Sequence, residues 1–206
     1  MIGIFGGTFD PVHRGHLETV SHVRETLELE LVRLVPLANA VHRNPPQASA
    51  EQRLKMLQTA CQSDAHLVVD TIELDRSGAS YTVDTLQQLK SGNPDHSLCL
   101  ITGSDAFAGF PDWHQPERIL SLANLVVMQR PNHPVDFSHP LYRQRTTENA
   151  ANFKQSPNGS IIAINVPQLA VSSTLIRESI KQRKNLDLLL TEEVIELIKQ
   201  WHLYET

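Results

Sequence analysis

The sequence predicts an α/β protein, a doubly wound parallel sheet with helices on both faces. Three observations carry this. Short apolar runs alternate with stretches of helical period along most of the chain. The run Leu98-Cys99-Leu100-Ile101 is apolar at every position, as in a strand covered on both sides. The opening Ile2-Gly3-Ile4-Phe5 breaks at Gly6-Gly7 just before a helical pattern. That strand, turn and helix N-terminus is a geometry in which backbone N–H groups and a helix dipole meet an anion. A length of 206 residues fits a single domain, 1–206, with residues from about 172 to 206 as a small C-terminal helical part.

The elements follow in order. After the first strand, Leu17, Val20, Val23 and Leu27 mark one face of a helix running from Leu17 to about Leu29. Val32 to Val35 is the next strand, stopped by Pro36, and Leu37 to Ala48 is a loop containing Pro45-Pro46. Ser49 and Gln52 form a capping-box pattern for a helix to about Ala60. Leu67 to Glu73 is extended, Ser77-Gly78 a turn, and a helix runs from about Thr82 to Lys90. Ser97 to Thr102 is the most apolar strand. Pro116 suits the first turn of a short helix to Leu122, before a strand from Leu125 to Met128. From Pro131 to Gly159 the prolines and polar residues read as a long irregular loop with a short helix near Leu141. Ser160 to Asn165 is a strand, Ser172-Ser173 cap a helix to about Lys181, and Val194, Ile195, Leu197 and Ile198 stripe a last helix from Glu192 to Trp201. The pattern is Rossmann-like, and in such sheets ligands bind beyond the carboxyl ends of the strands. The segments Gly6–His16, Pro36–Arg43, Gly103–Asp105 and Ser172–Arg177 all follow strand ends and are expected to converge on one cleft.

Composition narrows the function. A net charge of −5 argues against a broad nucleic-acid surface, which needs a basic face. No apolar run approaches the ~20 residues that span a bilayer, so no membrane partner is expected. The N-terminus lacks a basic segment and a cleavage site, and Cys61 and Cys99 read as buried free thiols; both point to the cytoplasm. Nothing in the residues decides between a monomer and a homo-oligomer.

The Walker pattern ending in Gly-Lys-Ser/Thr is absent, and Gly3, Gly6 and Gly7 do not fit the Gly-x-Gly-x-x-Gly spacing. His13-Arg14-Gly15-His16 is more specific. Four residues at a helix start place both imidazoles on one side of the turn, as cations or donors for a phosphate. Gly15 leaves room for that phosphate, and Thr8 offers a hydroxyl. Asp10 reads as a turn residue before Pro11. The histidine pair lacks a third ligand nearby, so no protein metal site is expected.

Gly6-Gly7-Thr8-Phe9-Asp10-Pro11-Val12-His13-Arg14-Gly15-His16 resembles the signature of the nucleotidylyltransferase superfamily, and Val171-Ser172-Ser173-Thr174-Leu175-Ile176-Arg177 resembles its second signature. Ser80-Tyr81-Thr82, Gly103-Ser104-Asp105, Phe110-Pro111-Asp112-Trp113, Arg130-Pro131 and Leu203-Tyr204 extend the likeness nearly end to end, toward the bacterial nicotinate mononucleotide adenylyltransferases. The resemblance implies transfer of AMP from ATP to nicotinate mononucleotide, releasing pyrophosphate. It implies His13, His16 and Arg177 as catalytic residues. It places Gly6, Gly7, Thr8, Phe9, Gly103, Asp105, Ser172, Ser173 and Thr174 with them around ATP. It implies Mg2+ carried with ATP. Trp113 is the candidate to stack on the pyridine ring, Tyr81 and Thr82 to meet its carboxylate, Asp105 a ribose, and Arg43 and Arg130 the mononucleotide phosphate. One stretch departs from the pattern: Pro36-Leu37 and the following Ala38 to Arg43 lack an Asn or Thr after Pro36 and a later proline pair. Acceptors other than the nicotinate compound, among them its amide, and a non-catalytic nucleotide sensor remain alternative readings.

Overall fold

Alternation of side chains along each strand divides the core in two. A computed structural model describes residues 1–38, 45–130 and 134–205. Six strands, β1 (Ile2–Gly7), β2 (Leu31–Pro36), β3 (Leu67–Val69), β4 (Leu98–Gly103), β5 (Ala123–Gln129) and β6 (Ile161–Asn165), pair in parallel in the order β3-β2-β1-β4-β5-β6. Phe5, Cys99, Ile101, Val126, Ile162 and Ile164 point to one face. There they meet helices α1 (Arg14–Leu27), α2 (Ala50–Cys61), α6 (Ala150–Gln155), α7 (Ser173–Lys181) and α8 (Glu192–Gln200) through residues such as Val23, Met56, Phe153, Ile176 and Val194. Ile2, Ile4, Leu98, Leu100, Leu125 and Val127 point to the other face. It is covered by α3 (Thr82–Gly92), α4 (Ser104–Phe107) and α5 (Pro116–Leu122). The continuous apolar strands are therefore buried on both sides, as predicted for a parallel sheet. The C-terminal helices share the first of these cores rather than standing apart.

Local signals act as expected at two helix starts. Ser49 and Gln52 cap α2 reciprocally, with Gln52 N–H to Ser49 Oγ at 3.2 Å and Ser49 N–H to Gln52 Oε1 at 2.9 Å. Ser172 Oγ accepts from Leu175 N–H at 3.1 Å and caps α7.

Several elements differ from the sequence reading, which also left α4 and the 3₁₀ turn Phe110–Asp112 unassigned. Helix α1 begins at Arg14, not Leu17, because His13 takes the N-cap position. Strand β3 covers three residues rather than the stretch to Glu73: the Asp70 carboxylate accepts from Ile72 N–H at 3.0 Å and turns the chain. The segment expected to be irregular carries a 3₁₀ turn at Pro140–Tyr142, near the predicted helix, and also the unpredicted α6. Asn149 caps α6 by accepting from Ala151 and Asn152 N–H at 2.8 and 3.1 Å. Buried Asn124 fastens the end of this segment, donating to Ser156 O at 2.8 Å and accepting from Ser160 N–H at 2.9 Å. A helix of six residues is too short to print a period on the sequence.

Phe153 is fully buried in this segment. Phe153→Ala is expected to cost ~3–5 kcal/mol, read as a lower midpoint of urea unfolding; a change near zero would mean the segment adds nothing to the core.

Candidate active site

Register sets the rim of the sheet. Gly7 lies opposite Pro36, and Gly103 opposite Met128, so the carboxyl ends of β1, β2, β4 and β5 share one level. From there β1 leads to α1 on one face, and β4 leads to Phe107 of α4 on the other. A crevice opens where neighbouring strands part in this way. Gly6 and Gly103 border it, and a Cβ at either would meet nothing within 4 Å, so their backbone is open to a ligand. Gly7 is needed for packing, since its Cβ would lie 2.7 Å from the Phe9 ring.

The two predicted histidines do meet. His13 and His16 stack with ring centroids 3.6 Å apart, and the edge of Phe9 closes on His16 at 5.2 Å. His16 Nδ1 accepts from His13 N–H at 3.3 Å. That nitrogen therefore carries no proton, and Nε2–H is the donor left on the neutral ring. Burial lowers the His13 pKa from 6.5 to about 4; burial and then the neighbouring His13 hold His16 well below 6.5. Burial thus favours the neutral form of both rings at pH 7, and of the two roles read from sequence, cation or donor, it supports the donor. The role given to Gly15 is corrected. A Cβ there would come 2.6 Å from Val171 Cγ1 and 3.1 Å from His13 Nδ1, so Gly15 admits the C-terminal segment rather than a phosphate. Arg14 N–H and Nε donate to Leu189 O and Leu190 O at 2.9 and 3.1 Å and dock the same helix start.

The two signature segments are bonded to each other. Arg177 Nη1 donates to Asp10 O at 2.7 Å, Arg177 Nη2 to Thr174 Oγ1 at 3.2 Å, and Ser173 Oγ to Pro11 O at 2.9 Å. Asp10 is not a simple turn residue. Its buried carboxylate accepts from Gln47 N–H at 2.8 Å, Ala48 N–H at 3.1 Å and Tyr204 Oη–H at 2.7 Å. Sequence reasoning also missed Arg53, which donates to Thr8 O at 2.7 Å and Leu37 O at 2.9 Å although almost fully buried. A signal existed: Arg53 shares the helix face of Met56, Leu57 and Ala60, where a cation must have a buried partner.

Further along the rim, Asp105 and Arg130 face each other at 3.6 Å, both exposed. Trp113 is half-buried against Phe110, centroids 5.4 Å apart, and Tyr81 at the N-cap of α3 lies 4.4 Å from His114, another residue the sequence reading missed. Thr82 opens α3. That helix start is held by Thr85 Oγ1, which donates to the buried Glu73 carboxylate at 2.8 Å. Burial pushes the Glu73 pKa up, against the charge-stabilising Thr85, Ser80, Arg76 and Ala38 N–H. Arg43 lies outside the described residues. Before it, Leu37 N–H donates to Gly7 O at 3.0 Å, so the residue that departs from the family pattern holds the turn through its backbone. A surface groove of about 640 Å³ between residues 111–118 and 139–141 has none of the predicted site residues on its walls.

The sequence model of the cytidylyltransferase-like family matches residues 4–179. A Methylococcus capsulatus protein called "Probable nicotinate-nucleotide adenylyltransferase" is 43% identical over 208 residues, covering 99% of each chain. A protein of the same name from Hydrogenovibrio crunogenus is 41% identical over 205 residues, covering 100% of this chain and 98% of its own. Among solved structures, Plasmodium falciparum nicotinic acid mononucleotide adenylyltransferase complexed with NaAD superposes with a TM-score of 0.76 at 18% identity, over 99% of this chain and 97% of its own. At that identity the likeness is one of fold.

Two outcomes follow from this geometry. The unfolded chain protonates His13 near pH 6.5, and the folded chain does so only near pH 4. Between these values the unfolded state binds more protons, so stability present above pH 6.5 is lost as pH falls, by on the order of 3 kcal/mol at pH 4. Urea unfolding across that range is expected to show the loss, and His13→Gln to lessen it, the share due to buried His16 remaining. Gly15→Ala is expected to destabilise the fold by ~1–3 kcal/mol, and Val171→Ala to recover part of that; no recovery in the double variant would mean the clash lies elsewhere.

Proposed function

The chain belongs to the nicotinate-nucleotide adenylyltransferase family, within the cytidylyltransferase-like group, and we propose that it transfers the adenylyl group of ATP to nicotinate mononucleotide. The products are nicotinate adenine dinucleotide and pyrophosphate, a step of NAD biosynthesis. The observation that carries this reading at the level of residues is the bonded meeting of the two signatures, Arg177 to Asp10 O and Ser173 to Pro11 O, beside the stacked histidines.

The chemistry asks for alignment and charge stabilisation rather than a base. The acceptor phosphate is already anionic at pH 7 and attacks the α-phosphorus in line, while pyrophosphate leaves. Neutral His13 and His16 donate hydrogen bonds toward the α-phosphate oxygens, where charge develops. Thr8 and the open backbone at Gly6, with Gly7 and Phe9 shaping the turn, receive the polyphosphate. Arg177 and the α7 N-terminus, from Ser172 through Thr174, hold the β- and γ-phosphates and the leaving group. Gly103 and Asp105 take the ribose. Among the described residues no group of three or more His, Cys, Asp or Glu side chains could hold a metal ion. Magnesium would come with ATP, held by phosphate oxygens and water.

On the acceptor side, Trp113 stacks on the pyridine ring, Tyr81 and Thr82 meet its carboxylate, and Arg130 and Arg43 meet the phosphate. No described helix is long and apolar enough to cross a membrane. The two buried free thiols, Cys61 and Cys99, suit a reducing cytoplasm.

Pyrophosphate release with Mg-ATP, compared between nicotinate and nicotinamide mononucleotide, tests the reading. Strong preference for the acid is expected; equal rates would overturn the carboxylate contacts, and no release with either would overturn the reaction. His16→Ala is expected to lower kcat at least ~100-fold with an unchanged fold by circular dichroism. Near-normal turnover would remove the histidine from the mechanism.

A further inference from the structure

Tyr204 is remote in sequence from both signatures yet touches their junction. It follows α8, its side chain lies in the first core at 5% exposure, and its hydroxyl donates to Asp10 Oδ1. Asp10 Oδ2 stands 3.9 Å from Arg177 Nη1, the nitrogen that donates to Asp10 O at 2.7 Å. The same residue thus offers Arg177 two acceptors: a neutral carbonyl, which is engaged, and a carboxylate, which is held back at long range.

What holds the carboxylate back is its set of donors. Oδ1 takes Tyr204 and Ala48, and Oδ2 takes Gln47. Arg53, the other nearby cation, is committed to the carbonyls of Thr8 and Leu37. Removing the Tyr204 hydroxyl leaves a buried carboxylate oxygen short of a donor, and such a group turns to the nearest charge available. That charge is Arg177. The Arg177 side chain is 22% exposed, and a closer ion pair would draw its guanidinium toward the buried carboxylate.

We propose that Tyr204 is a positioning residue: by satisfying Asp10, it keeps the Arg177 guanidinium presented to the polyphosphate of ATP. This rests on the reading that Arg177 binds ATP phosphates, and it adds a residue from the far end of the chain to that site.

The test uses the full chain and reads Mg-ATP affinity by calorimetry without any acceptor, so it stands apart from the identity of the acceptor. Tyr204→Phe keeps the ring in the core, and its urea unfolding midpoint reports that the fold persists. Mg-ATP affinity is expected to fall about 10-fold, the scale of one hydrogen bond to a charged group. In the steady state the KM for ATP is expected to rise while that for the mononucleotide stays within about two-fold. A purely structural role would move the midpoint without splitting the two KM values. A double-mutant cycle decides the route: with Arg177→Ala already in place, Tyr204→Phe is expected to have no further effect on Mg-ATP affinity. Unchanged affinity in the single variant, or the same loss with and without Arg177, overturns the proposal. Should Tyr204→Phe not fold, Tyr204→His, whose ring nitrogen can donate to Asp10, is compared with Tyr204→Leu, which cannot; equal Mg-ATP affinity in these two overturns it as well. Failure of the wild type to adenylylate nicotinate mononucleotide while it still binds ATP would instead count against the acceptor.

Discussion

A carboxylate removed from water must be met by donors on every side, and Asp10 imposes that requirement on the whole molecule. Its partners come from the segment before α2, from α7 and from beyond α8. Arg53 imposes the mirror requirement, and its two terminal nitrogens donate to Thr8 O in the turn after β1 and Leu37 O in the turn after β2. A turn that carries an open glycine and two stacked histidines is thereby held from several directions by strong, directional bonds. Loops are ordinarily the mobile part of an α/β enzyme. Here the loop after β1 is bonded to three later segments of the chain.

The electrostatics of the crevice follow from this economy of charge. The histidines are neutral because they are buried and adjacent, and much of the Arg177 fork already has partners inside the protein. On the proposed reading, the site offers a polyphosphate oriented N–H groups more than net positive charge. Fixed dipoles in a partly dry cleft stabilise developing charge without reorganising, which suits a reaction whose attacking group needs no deprotonation. A chain with a net charge of −5 can hold such a site because the site does not depend on a basic field.

Much of the architecture was legible because it is written in local terms. Period-two and period-3.6 patterns located the six strands and most helices, and Ser49-Gln52 and Ser172 announced their caps. The two signature segments were likewise visible as residues at strand ends, and the structure joins them. The contacts that decide the site were not legible. Asp10 finds its partners 37, 38 and 194 positions away, and no local pattern encodes such a meeting. Gly15 looked like a phosphate-facing glycine because its neighbours are histidines, whereas the constraint comes from Val171. Helix α6 hid because one phenylalanine and one asparagine cap do its work.

The bond between Asp10 and Tyr204 also has a meaning in time. Tyr204 stands 194 residues after Asp10, so the first signature leaves the ribosome long before the hydroxyl that donates to its carboxylate. Until then the carboxylate has only the Gln47 and Ala48 N–H donors that the fold gives it. A nascent chain that already holds all six strands therefore does not yet hold the Tyr204 bond to the turn after the first of them.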